Sequence, residues 1–400
     1  MCQSDNNALT RLSEPFRLFF PVGVLWGIIG VALWPLFFAG ALNYYPALAH
    51  PRLMIDGFVA FFIFGFMMTA GPRLLGAPAF GSKCICAIFG LACLSNLAFV
   101  FNQLALGDTL FALATLALLL KAYRAYCART DMPPPGFPLA ALGLICACVG
   151  SSLLALTATI WPNATAYALG KILLFQGFTM LPIIGVGAFF FPKIIGGQNR
   201  HDFDETMRPS AEWKGRFRYS IFTAIGFALS VVVELSGHIT TAYILRVLTL
   251  TAYIITQLPW MEFRRKERMH GLQLIFALST IAIGLIGAAF FPGYKVAWLH
   301  AYFFVGLTGT IFLVSLRVVF GHSDRPDLIR KSVKIFAWVT GTLLLAASTR
   351  IVADFRPDLR TTHYIYASAL WLICAIVWLV FVAPKTKPPK PLLAKKSCDS

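Results

Sequence analysis

Four hundred residues carry a formal charge of +17, yet only 13% are charged and 58% are apolar, with a mean hydropathy of +0.73. Globular domains run at about 25% charged residues, so this composition excludes an ordinary soluble domain and points to a polytopic membrane protein. The basic residues are spread over short connections and form no single patch, which argues against nucleic-acid binding.

The apolar runs are long and continuous, not alternating. In hydrocarbon every backbone polar group must be paired within the chain, so such runs predict helices. In chain order they fall near 18–38, 55–72, 83–104, 109–124, 137–160, 167–191, 218–236, 239–258, 271–292, 297–320, 332–353 and 364–383. The expected fold is therefore all-α, a bundle of about twelve transmembrane helices forming one integral domain over 1–384. The opening stretch MCQSDNNALTRLSEPFRLFF lacks a signal-peptide cleavage pattern, so the first span is expected to be retained. The connections after the even-numbered spans are basic, while those after the odd-numbered spans are short and nearly uncharged. By the positive-inside rule both termini are expected in the cytoplasm. The tail 385–400, rich in Lys and Pro, is expected to be disordered there. Nine cysteines include no C-x-x-C pair and read as reduced or buried thiols.

The second span, in HPRLMIDGFVAFFIFGFMMTAGPRLLG (50–76), carries the most chemistry. Pro51 suits a first helical position, which would make His50 the cap, and His50, Met54 and Gly57 then share a face. Imidazole and thioether are both ligands for haem iron and copper. Asp56 is a carboxylate within an apolar span, costly unless it faces the bundle interior. It could accept from a ligating imidazole, or pair with Arg52 four residues earlier. A shift of 120 residues lays Gly57-Phe58 on Gly177-Phe178, Gly65 on Gly185, Pro72 on Pro192 and Gly76 on Gly196. The second and sixth spans thus read as equivalents in a four-helix internal duplication.

Later in the chain, His238, His300 and His363 fall at the same membrane depth as His50, the periplasmic side on this topology, so the four form a candidate metal-ligand set. Glu234 precedes His238 by four residues and would orient its ring if the helix continued that far. The tenth span opens on His300 and closes on Arg317 and His322. Seventeen residues put His300 and Arg317 about 25 Å apart, so Arg317 would serve a second cofactor or reach the headgroups. No Walker A, G-x-S-x-G, H-E-x-x-H or C-x-x-C-H motif occurs.

Two stretches together resemble a known family. HPRLMIDGF…GFMMTAGPRLLG is similar to the H-A-H-E-M-x-x-G-F…G-F-L-L-T-A-x-P stretch of the NnrS family, and HAYFFVGLTGTIFLVSLRVVFGHSDR resembles its H-x-x-x-x-G-x-x-G…R-x-x-L-G-H-T-G-R helix. EPFRLFFPVGVLWGIIG near the start also fits. The resemblance implies a bacterial inner-membrane protein of about twelve helices that contains haem, and also copper, and is linked to the nitric oxide response. It maps His50, Met54 and Gly57, and His300, Arg317 and His322, onto family motif positions. Arg52 and Leu53 depart from it, standing where the family stretch has a second histidine and a glutamate. A family histidine expected in the ninth span has no counterpart. Two other classes suit the same residues: a secondary transporter of a small ion or metal complex, with Asp56, Lys171 and Arg317 on its path, and a membrane factor for cofactor delivery.

Overall fold

Twelve helices long and apolar enough to cross a membrane form the protein in a computed structural model that describes residues 13–260, 268–323 and 327–387. They are α1 (Phe16–Phe38), α2 (Ala49–Leu74), α3 (Ser82–Val100), α4 (Leu104–Cys127), α5 (Phe137–Thr159), α6 (Ala164–Ile195), α7 (Ala211–Leu235), α8 (Ile239–Gln257), α9 (Met269–Phe290), α10 (Pro292–Gly321), α11 (Val333–Phe355) and α12 (Pro357–Phe381). The described residues contain no β-strand. The tail expected to be disordered lies outside the described residues from 388 onward. The seven described cysteines are free thiols.

Burial separates an inner set from an outer one. The apolar windows of α2, α6 and α10 are 78%, 83% and 72% buried, against 28% for α7 and α8, so these three form the centre of the bundle. Each inner helix packs against the helix before it, α1, α5 or α9, while the pairs α3–α4, α7–α8 and α11–α12 lie outside. The sets of four join where α4 meets α5, α8 meets α9 and α12 meets α1, which closes the ring.

The same three helices share a local distortion. Leu53–Val59, Leu173–Phe178 and Tyr302–Thr308 are π-helical, each carrying one more residue per turn than its flanks. A glycine sits inside each, namely Gly57, Gly177 and Gly306. A Cβ on Gly57 would stand 2.5 Å from Asn96 Oδ1, and one on Gly306 2.5 Å from Ile281 Cγ1. The widened turns are thus pressed against neighbouring helices where only a glycine fits. The second, sixth and tenth spans thus have a glycine-bearing π-helical turn in common.

At the end of the bundle where α1 begins and α12 ends, polar contacts tie separate parts of the chain together. Arg17 donates to the carbonyls of His322, Thr386 and Lys387 and pairs with Glu14. Glu14 also pairs with Arg73 at 3.2 Å, and Arg73 lies 3.1 Å from His322 Nε2. Burial alone would raise the Glu14 carboxyl, but its hydrogen bonds and attraction to Arg17 and Arg73 hold it below the usual range.

Candidate functional site in the central cavity

A cavity of about 730 Å³ opens among the three inner helices, at the opposite end from the Arg17 cluster. Its size falls within the roughly 300–1,000 Å³ of ligand pockets. The π-helical turns form its walls: Met54, Ile55, Phe58 and Val59 from α2, Phe175 and Gln176 from α6, and Phe303, Phe304, Leu307 and Thr308 from α10.

His50 and His300 both line this space. His50 lies inside the first turn of α2, whose cap is Leu48, so the expectation that His50 itself caps the helix is corrected. Its ring reaches instead across to α1, where Nδ1 donates to the Gly30 carbonyl at 2.9 Å. His300 Nδ1 donates to the Val296 carbonyl at 2.7 Å. In both, bonding Nδ1 to a carbonyl makes Nε2 the lone-pair nitrogen, the tautomer a metal-ligating histidine adopts. Trp34 stands edge-on to His50 at 6.0 Å and to Tyr364 at 5.0 Å, and Phe304 meets His300 at 5.4 Å, so aromatic faces surround the two imidazoles.

The remaining polar groups make a basic rim. Arg350 pairs with Asp354, four residues on, at 3.0 Å, and stacks over the Tyr364 ring at 4.2 Å. Lys171 lies over the Tyr167 ring, and Lys295 stands 3.7 Å from Glu234. Lower on the α6 wall, Arg246 pairs with Glu234 at 2.7 Å and donates to Gln176, whose amide donates to Tyr243.

The other expected site residues sit as follows. Met54 lines the cavity beside His50. Glu234 does not orient His238: α7 ends at Leu235, Gly237 turns the chain with φ +92°, and the carboxylate is committed to Arg246 and Lys295. His238 is exposed at the start of α8, and His363 lies against Tyr366, so neither lines the cavity with His50 and His300. Arg317 and His322 lie at the far end of α10, His322 within the Arg17 cluster. Among the described residues no three His, Cys, Asp or Glu side chains converge on one point.

Asp56 is fully buried, and the pairing with Arg52 offered by their spacing is not made. Arg52 instead grips Asp108 at the start of α4 with two hydrogen bonds of 2.8 and 2.9 Å. Sequence reading missed Asp108, Arg350 as a cavity residue, and Gln176. A carboxylate at the edge of an otherwise apolar span, as at Asp108, is the signal that would have found the first.

No curated protein matches the chain in sequence. The model of the NnrS protein family, however, matches residues 10–388, nearly the whole chain, including both stretches that build the cavity. The chain belongs to the NnrS family.

Proposed function

We propose that the protein is a haem-binding protein of the bacterial inner membrane that acts in the response to nitric oxide, with the haem seated among α2, α6 and α10. The observation that carries this is the pair of cavity imidazoles, each with Nδ1 tied to a carbonyl and Nε2 left to ligate. Haem supplies four ring nitrogens of its own, so one or two protein ligands suffice to complete its iron, and a diatomic ligand would bind in place of one of them. His50 and His300 would ligate it, and Arg350, Lys171 and Lys295 would neutralise its two carboxylates. Met54 is a further soft donor in reach of the same space. Copper, implied by the same family, would draw on His50, Met54 and His300, with fewer ligands than its usual sites.

Most basic residues fall in the connections after the even-numbered helices, at the end where α1 begins and α12 ends, which supports a cytoplasmic location for that end and a periplasmic mouth for the cavity. Protein purified from haem-replete cells is expected to show a Soret band that shifts on adding nitric oxide and is lost in His50→Ala or His300→Ala. Folded protein that stays colourless after incubation with haem would overturn the reading. Anion transport by reconstituted protein, kept in the histidine variants and lost in Lys171→Ala, would favour the transporter class.

A further inference from the structure

A second space lies among the same inner helices as the cavity and has the opposite character. About 70 Å³ in volume, it is lined by α1, α2, α6 and α10 and stands between the cavity and the Arg17 cluster. Voids larger than a water molecule are few in a close-packed interior, and this one falls among the three most buried helices of the bundle. The hydroxyls of Thr310 and Ser315 are the polar side-chain groups on its wall, and both are spent elsewhere. Thr310 donates to the Gly306 carbonyl at 2.7 Å, while Ser315 donates to the Phe312 carbonyl at 2.9 Å and accepts from Trp378 at 2.9 Å. The remaining side chains offer only hydrocarbon and the Met67 thioether. A Cβ on Gly187 would run into the Phe191 ring, so a glycine there lets that ring seat against the space.

Such a wall selects its occupant. A buried water needs roughly two to four polar partners, and an apolar cavity without them stays dry. An ion would lie there with neither counter-charge nor hydrogen bonds. The lining atoms lack dispersion partners across the void, and a small uncharged molecule restores them without giving up hydrogen bonds of its own. The space is smaller than the roughly 150 Å³ apolar cavity that admits benzene or xenon, which leaves single atoms and diatomic molecules.

The pocket also adjoins the cavity. On α2, Phe58 lines the cavity and Phe62 the pocket, their rings 5.3 Å apart and edge to face. Val59 and Ile63 repeat this step on the same helix, as do Leu307 and Ile311 on α10. A single layer of side chains, one helical turn deep, divides the two spaces. We propose that the pocket is a docking site for a small uncharged gas molecule, a diatomic such as nitric oxide or dioxygen, held one side-chain layer from the ligand cavity. That its occupant is also the ligand of the cavity rests on the haem reading above; that it takes a diatomic does not.

Crystals of the full-length protein pressurised with xenon test the site, since xenon is a single apolar atom that stands in for a diatomic. An anomalous peak is expected between Phe62, Val186 and Val314, and Val314→Phe, which fills the space, is expected to abolish it. The wild-type crystal decides the matter even where the variant fails to fold. A pocket without xenon, or one holding a lipid acyl chain, would overturn the proposal. In haem-loaded protein, carbon monoxide split from the iron by a light flash is expected to rebind in part from this pocket, as a slow geminate phase that Val314→Phe removes. Persistence of that phase in the variant would overturn the link to the cavity, while a missing Soret band beside a xenon peak would overturn the haem reading alone.

Discussion

A guanidinium buried at 3% exposure is costly unless its charge is paired, and Arg52 is paired with Asp108 and donates to the Leu48 carbonyl. Removing one member of such a pair leaves the other charge stranded, a loss on the order of 3–5 kcal/mol. Asp108→Ala is therefore expected to lower stability by that order, read from chemical unfolding in detergent, and Arg52→Met to restore part of what Asp108→Ala loses. His201, in the connection between α6 and α7, makes the converse case outside the membrane. Burial pushes its imidazole down to about 4, against the pull of its hydrogen bond to Gln257. A histidine whose folded pKa is depressed gives its full stabilisation above its unfolded value of about 6.5 and loses it as pH falls through about 4. The thermal midpoint should drop across that window, and His201→Asn should flatten the drop. Sequence alone marked Asp56 as the anomaly and offered Arg52 as its partner. Arg52 is held instead by Asp108 of α4, more than fifty residues on, because an i, i+4 spacing says which residues are near and not which are already taken.

At the scale of the helix, the three π-helical turns decide where the cavity forms. They bring Met54, Gln176 and Thr308 to one space from three helices far apart in the chain. Gly57→Val would drive a methyl into Asn96, and overpacking of this kind costs about 1–3 kcal/mol. Lower thermal stability together with weaker haem retention is expected, whereas Gly71→Ala on the same helix, where a Cβ meets open space, should change neither by more than the helix preference for alanine. The spans themselves were legible: all twelve overlap their apolar runs, although α2, α4, α7, α10 and α12 each begin about five to seven residues before the run read for them. The inner helices were read short, at 55–72, 167–191 and 297–320, against Ala49–Leu74, Ala164–Ile195 and Pro292–Gly321. The missing turns hold His50, Arg52 and Lys295, polar residues that a hydropathy reading assigns to loops. Those turns remain helical because their polar groups face a cavity and each other instead of lipid. The π-turns left no trace in composition, since one extra residue per turn alters neither hydropathy nor span length.

For the whole molecule, the proposed orientation rests on the distribution of charge over the connections. Cys127 is exposed at the end of α4, on the side where α1 begins and α12 ends. A single-cysteine variant keeping Cys127 should resist a membrane-impermeant thiol reagent in spheroplasts and react in inverted vesicles. The reverse labelling would place the cavity mouth in the cytoplasm.

The ring of helices closes only when α12 packs on α1, and Arg17 completes its hydrogen bonds only on carbonyls at 386 and 387. α1 is made before α12 and therefore waits for it, keeping one flank uncovered and the Arg17 donors to 386 and 387 unmet while the helices between them are synthesised. Chains cut short before α12 would present that flank to membrane quality control, so truncation near residue 355 should be read as rapid degradation and not as a stable eleven-helix product.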